Sequence, residues 1–118
     1  MNDYKELEVW QKSISLVEDI YLKIEKLPRD EKFALLDQIR RSAISIPSNI
    51  AEGHDRSSTK DFIRFLYISL GSAAELETQL IIVENIYNIK CDKSMNKLLS
   101  IRMMLNKLIS SLKRRVSK

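Results

Sequence analysis

Apolar residues recur along this chain at alternating spacings of three and four, the period of one helix face. Leu7, Trp10, Ile14, Val17, Tyr21 and Ile24 keep that spacing and predict a first helix from about Leu7 to Lys26. Leu36, Ile39, Ala43, Ile46 and Ile50 predict a second, from about Arg29 to Glu52. A third begins after Ser57-Ser58-Thr59, whose hydroxyls suit N-terminal caps, and continues to about Ile89, a length of about 45 Å. Leu98, Ile101, Leu105, Leu108 and Leu112 mark a fourth, roughly Lys93 to Arg114. Short connections force successive helices to run antiparallel. The pattern therefore predicts an all-α, up-down-up-down four-helix bundle, a single domain over residues 1–118.

Pro47 breaks a local rule. It removes the amide that would bond the Ala43 carbonyl and disfavours helical geometry at Ile46, at a cost of about 3 kcal/mol. The apolar rhythm nevertheless runs straight through it, so the second helix is predicted to be kinked at Pro47 rather than split. Beside the apolar face, Ser42, Ser45, Asn49 and Glu52 form a polar stripe of the same spacing. Two uses fit it equally well: bonding back into the helix near the freed carbonyl, or fixing the register of a contact with another helix or subunit. Gly53 follows as a helix C-terminal glycine should.

The third helix carries two apolar rows. Phe62, Leu66, Ala73, Leu76, Leu80, Val83 and Tyr87 make one; Ile63, Tyr67, Leu70, Ala74 and Ile81 make another beside it. Together they exceed the stripe that a monomer's outer helix requires, which predicts that the second row meets another subunit. Ser69, Gly71, Ser72, Ala73 and Ala74 add a run of small residues that lets another backbone approach.

Composition agrees with the helical class: the 118 residues include two glycines and two prolines, with Pro28 separating the first two segments. The one cysteine, Cys91, has no partner for an intramolecular disulfide and suggests a reducing compartment. The charged amino terminus is unlike a signal peptide, and no uncharged apolar stretch approaches ~20 residues, so a cytoplasmic protein without membrane contact is expected. The net charge of +4 is unevenly spread. Lys93, Lys97, Arg102, Lys107, Lys113, Arg114, Arg115 and Lys118 face a single acid, Asp92, in the final segment. Such asymmetry marks contact with nucleic acid or another acidic surface, or a solvated basic tail.

Catalytic patterns are missing. The one histidine, His54, reads as a solvated loop side chain, and there is no Glu-x-x-His pair, no paired histidines and no glycine-rich phosphate loop. No metal or cofactor is expected, and the chain does not read as an enzyme.

Arg40-Arg41-Ser42-Ala43, Ser45-Ile46-Pro47-Ser48-Asn49-Ile50-Ala51-Glu52-Gly53, Phe62-Ile63-Arg64-Phe65-Leu66-Tyr67-Ile68, Leu70-Gly71-Ser72 and Glu75-Leu76-Glu77-Thr78-Gln79-Leu80 together carry a resemblance. The chain resembles the four-helix-bundle proteins encoded within intervening sequences of bacterial 23S ribosomal RNA genes, and Leu7 to Lys12 resembles that family's opening. It is similar too to the accessory protein of diversity-generating retroelements, which binds nucleic acid and a reverse transcriptase. The resemblance implies a basic homo-oligomer, a ring of five, acting as an RNA- or DNA-associated scaffold without catalysis. The chain departs from the family pattern after Glu52-Gly53, where an aromatic residue and glycine are usual and His54-Asp55 stand here.

The functional expectation is a pentamer that binds RNA or DNA through phosphate contacts. Lys97, Arg102, Lys107, Arg114 and Arg115 are the first candidates, with Arg40, Arg41, Arg56, Lys60 and Arg64 as a second group around the Gly53 turn. Ser45, Pro47, Asn49, Glu52, Gly53 and Gly71 are assigned structural roles. The rival is an adaptor for a protein partner such as a reverse transcriptase, with no affinity of its own for nucleic acid.

Overall fold

The computed structural model describes residues 3–27 and 33–117. A short 3-10 turn, Tyr4–Glu6, leads into four helices: α1 Glu8–Ile24, α2 Phe33–His54, α3 Thr59–Tyr87 and α4 Asp92–Ser117. The start expected for the second helix, residues 29–32, lies outside the described residues. Each helix packs on its chain neighbours, and α4 returns to α1, closing a rod 52 Å long and about 20 Å across. Cross-helix pairs run antiparallel at every seam. Lys12 meets Ser100 while Asp19 meets Lys93, Arg102 meets Glu77 while Cys91 meets Glu84, and Ser45 meets Ser72 while Ile46 meets Ser69. At the α1–α2 seam Tyr21 lies by Arg40 and Tyr4 by His54.

The boundaries follow local chemistry. Ser58 caps α3 by accepting the amide of Asp61 at 3.1 Å. At the other end Asn88 adopts φ 55°, the left-handed conformation that closes many helices, so α3 stops at Tyr87 rather than Ile89.

The core rows expected in α2, α3 and α4 point inward as predicted. Leu36, Ile39, Ala43, Ile46 and Ile50 are all buried, as are Leu66, Ala73, Leu76, Leu80 and Val83, and Leu98, Ile101, Leu105 and Leu112, while Phe62, Tyr87 and Leu108 of the same rows are partly buried and Ile109 joins the core beside Leu108. In α1 the core row differs from the expected one. Val9, Ser13, Leu16, Ile20 and Ile24 face the centre, whereas Trp10, Ile14 and Val17 flank it and line a groove with Ile44, Pro47 and Ala51 of α2. Both rows are apolar, and a serine interrupts the true one. Ser13 is tolerated there because its hydroxyl donates to the Val9 carbonyl at 2.7 Å.

α2 continues as helix through Pro47. Its polar stripe divides between the two expected uses: Ser45 meets α3, whereas Ser42 and Asn49 bond back within α2. Ser45 Oγ lies 2.7 Å from Ser72 Oγ, and Asn49 donates to the carbonyl and the hydroxyl of Ser45 at 2.8 and 2.9 Å. From the opposite side Ser69 donates to the Ile46 carbonyl at 2.9 Å, just before the proline. Ser42 bonds back to Gln38, and Glu52 pairs with Arg56.

Gly53 departs from its expected role. It lies inside α2 and has no positive φ, so it is not a left-handed terminal glycine. It is required by proximity: a Cβ there would sit 2.5 Å from Phe65 Cβ and 3.1 Å from the Phe62 ring. A Cβ on Gly71, by comparison, meets nothing within 4 Å.

α3 is long and apolar enough, by length and composition, to cross a membrane, although Glu75 and Glu77 interrupt it. The bundle accounts for part of that hydropathy. Its core row is buried and Ile63 and Leu70 pack partly against the core, while Tyr67, Ile68, Ile81, Ile82 and Ile86 remain exposed. The surplus is therefore real at the level of one chain.

Gly53→Ala should lower stability by about 1–3 kcal/mol, the scale of overpacking a tight contact. Gly71→Ala should leave the monomer fold unharmed or raise its stability by about 0.5–1 kcal/mol through helix propensity. Urea denaturation of the two variants side by side checks both signs. Ser69→Ala removes the donor to the Ile46 carbonyl and should cost about 1 kcal/mol by the same assay.

Candidate nucleic-acid interface

A cation paired with a carboxylate on another helix is spent on holding the two helices together, so the pairing of each candidate bears on its use. Lys97 is committed. Its ammonium lies 2.5 Å from Asp19 Oδ2 and donates to Ser15 Oγ at 2.6 Å, tying α4 to α1, and Lys93 shares the same carboxylate at 3.6 Å. Arg102 is committed as well, to Glu77 of α3 at 2.6 Å. These two cations hold helices together.

The remaining α4 candidates lie beyond that seam. Lys107, Arg114 and Arg115 are exposed and form no ion pair with a described residue. Lys107 and Arg114 flank a cleft of about 450 Å³ that α4 forms with Leu7 and Val9 at the start of α1. Arg115 faces the α2–α3 turn, sharing a smaller cleft with Arg56 and Thr59. Arg114 and Arg115 occupy the last turn of α4, where positive charge complements the unpaired carbonyls of the helix end.

The second basic group divides. Arg56, Lys60 and Arg64 sit at the α2–α3 turn, close to the end of α4. Arg56 is held by Glu52 at 2.7 Å and lies over the Phe65 ring at 4.9 Å; Arg64 is held by Asp61 at 3.6 Å and lies over the same ring at 4.5 Å. Lys60 is exposed without such a partner among the described residues. Arg40 and Arg41 are elsewhere, about 20 Å back along α2 at 1.5 Å per residue. Arg40 pairs with Asp37 at 3.3 Å and lies 5.8 Å from the Tyr21 ring of α1.

Two contributors to this end were not among the site candidates read from the sequence. Lys113 lies over the Tyr67 ring at 5.1 Å, clasping α4 to α3, a contact that only the antiparallel register creates. His54, expected to be a solvated loop residue, is the last residue of α2 and its side chain is 11% exposed. It stands edge-on between Tyr4 at 6.4 Å and Phe62 at 5.7 Å, with Nδ1 3.4 Å from Asp55 Oδ1. Its burial comes from the 3-10 turn folding over the end of the bundle. The adjacent Tyr4 and Trp10 rings at 5.5 Å continue the same aromatic stack, and no local pattern around residue 54 announces it.

The apolar row of α3 expected at a subunit contact lies on the α4 side of that helix. Tyr67 and Ile81 are 46% and 43% exposed, Ala74 is exposed, and Ile63 and Leu70 are partly covered. Cys91 is buried beside the first turn of α4, and burial pushes its thiol above the ordinary value despite the nearby Lys23 charge. That makes it a poor nucleophile at neutral pH. Among the described residues no group of three or more His, Cys, Asp or Glu side chains is placed to hold a metal ion.

The same architecture occurs in a protein of known structure, although no curated protein matches the chain. A solved structure from Bacteroides thetaiotaomicron, described as a protein with unknown function from the S23 ribosomal protein family, superposes with a TM-score of 0.77. The two are 30% identical, over 86% of this chain and 97% of that one. Residues 5–111, nearly the whole of the bundle, match the family described as 23S rRNA-intervening sequence protein. On that match and that structural likeness, the chain belongs to the 23S rRNA-intervening sequence protein family.

Proposed function

We propose that this chain assembles with copies of itself, as a ring of five, and that the assembly binds RNA or DNA through phosphate contacts without catalysing a reaction. The observation that carries the reading is the meeting, at one end of the rod, of two basic groups remote in sequence. Arg56 of the α2–α3 turn and Arg115 of the last turn of α4 line one cleft, with Lys60 and Arg64 in the first turns of α3, Lys113 over the α3 ring of Tyr67, and Arg114 beside Arg115. Several of these cations have no internal carboxylate, so counterions condensed on a phosphate backbone are released when they meet it. Contacts of this kind attract and orient but read little sequence. Assembly is supported by the apolar surface that α3 leaves exposed and by the open backbone at Gly71. Repeating the basic end around a ring multiplies weak phosphate contacts into useful affinity.

An adaptor role toward a protein, such as a reverse transcriptase, draws on a different observation. The cleft between α1 and α4 has an apolar lining of Leu7, Val9, Met104 and Leu108 beside the cations Lys107 and Arg114, which outnumber its one acid, Glu8. That chemistry suits an acidic segment with apolar anchors. Copurification of a defined protein with a chain that ignores bare nucleic acid favours this reading over the first.

Binding to labelled structured RNA and duplex DNA across a salt series, with the assembled mass measured in the same buffers, tests the proposal. Affinity should fall steeply between about 50 and 200 mM salt. Lys107→Ala, Arg114→Ala and Arg115→Ala combined should reduce the log–log salt slope by about three, one for each phosphate left without its cation; an unchanged slope overturns the assignment. Lys97→Ala should behave oppositely, costing about 1–3 kcal/mol of stability while leaving the affinity of the folded protein intact. For assembly, Ile81→Asp should lower the sedimenting mass to that of the monomer, with Leu70→Asp as its partly buried counterpart; rings that persist in Ile81→Asp place the subunit interface elsewhere.

A further inference from the structure

The cleft between the last turn of α4 and the α2–α3 turn has a volume of about 210 Å³ and a lining of unusual consistency. Arg56 and Arg115 supply its charge, His54 and the hydroxyl run Ser57 to Thr59 its hydrogen-bonding groups, and Phe62 and Leu112 an apolar wall. No carboxylate lines it. The two guanidinium groups arrive from different elements. Arg56 is positioned in advance by Glu52 at 2.7 Å and by the Phe65 ring, and a guanidinium with five N–H donors keeps several free after one carboxylate contact. Arg115 has no ion-pair partner among the described residues. Ser58 is occupied in capping the Asp61 amide, which leaves Ser57 and Thr59 as the hydroxyls able to turn toward a ligand.

We propose that this cleft receives the terminal phosphate of a nucleic-acid strand, a phosphomonoester, in preference to an internal phosphodiester. This deepens the nucleic-acid reading above and rests on it. A terminal phosphate carries about −1.5 to −2 charges at neutral pH and three strong acceptor oxygens, which two arginines and neighbouring hydroxyls can satisfy together. An internal phosphodiester carries one charge and must let the strand leave in two directions. Two guanidinium groups lining one cleft match the charge of a terminal phosphate better than the single charge of a phosphodiester. Phe62, partly exposed in the cleft wall, gives the terminal nucleotide an aromatic neighbour. The cleft volume of about 210 Å³ accommodates the phosphate group.

The test compares one single-stranded oligonucleotide carrying a 5′-phosphate, the same strand with a 3′-phosphate, and the same strand with hydroxyl ends. The phosphorylated strands should bind about tenfold or more tightly than the hydroxyl strand, the scale of one or two charge-assisted hydrogen bonds. Arg115→Ala and Arg56→Ala should each collapse that ratio toward one, whereas Lys107→Ala should weaken all strands alike and preserve it. Equal affinities in the unaltered protein, with the steep salt dependence intact, overturn the terminal-phosphate proposal while leaving general phosphate binding standing. If no strand binds, the nucleic-acid reading falls, and inorganic phosphate decides the cleft itself. Saturable amide shifts confined to Ser57, Ser58 and Thr59, abolished in Arg115→Ala, uphold it as a phosphate site, and their absence removes it.

Discussion

The approach of α2 to α3 is the constraint on which the rest depends. At Gly53 the α2 backbone comes so near Phe65 that no Cβ fits, and a little further along the seam Ser69 reaches the Ile46 carbonyl while Ser45 meets Ser72. Small side chains permit the approach, and hydroxyls satisfy the polar atoms that it buries. Pro47 falls between these contacts along the helix, on the side of α2 that faces α1. What reads in isolation as a costly proline is embedded in a helix whose neighbouring carbonyl is bonded from α3 and whose apolar face is wholly buried.

That seam sets the geometry of the basic end. Because α2 is pressed against the first turns of α3, the connection between them is short and Arg56 is held beside Phe65. The antiparallel return of α4 then carries Arg115 to the same turn and Lys113 to Tyr67. Arg56 and Arg115, far apart in sequence, come to line one cleft.

The cations divide by the company they keep. Lys97 and Arg102, midway along the rod, each meet an acid on an adjacent helix, and their charge contributes to register between helices. Lys60, Lys107, Arg114 and Arg115 meet none among the described residues, so their charge reaches solvent. A field from the second group attracts polyanions, whereas the first is largely cancelled within the protein. Apolar surface divides in a similar way: α3 buries one row in the core and leaves residues beside it exposed.

The sequence alone determined the class, the number of helices and the core faces of α2, α3 and α4, because helical periodicity and capping act within a few residues of each other. It was ambiguous in α1, where two adjacent apolar rows compete and the buried one contains Ser13, whose hydroxyl is satisfied within its own turn. It revealed the basic residues but not their partners: the Asp19 that occupies Lys97 lies on the first helix, and the Glu77 that occupies Arg102 on the third. Gly53 was legible as a special position, yet its cause, contact with Phe65 rather than backbone chirality, required the packed pair. His54 became a buried aromatic neighbour only when the amino-terminal turn folded across it. These decisions belong to the tertiary structure because each depends on the distance between residues far apart in the chain, which periodicity does not encode.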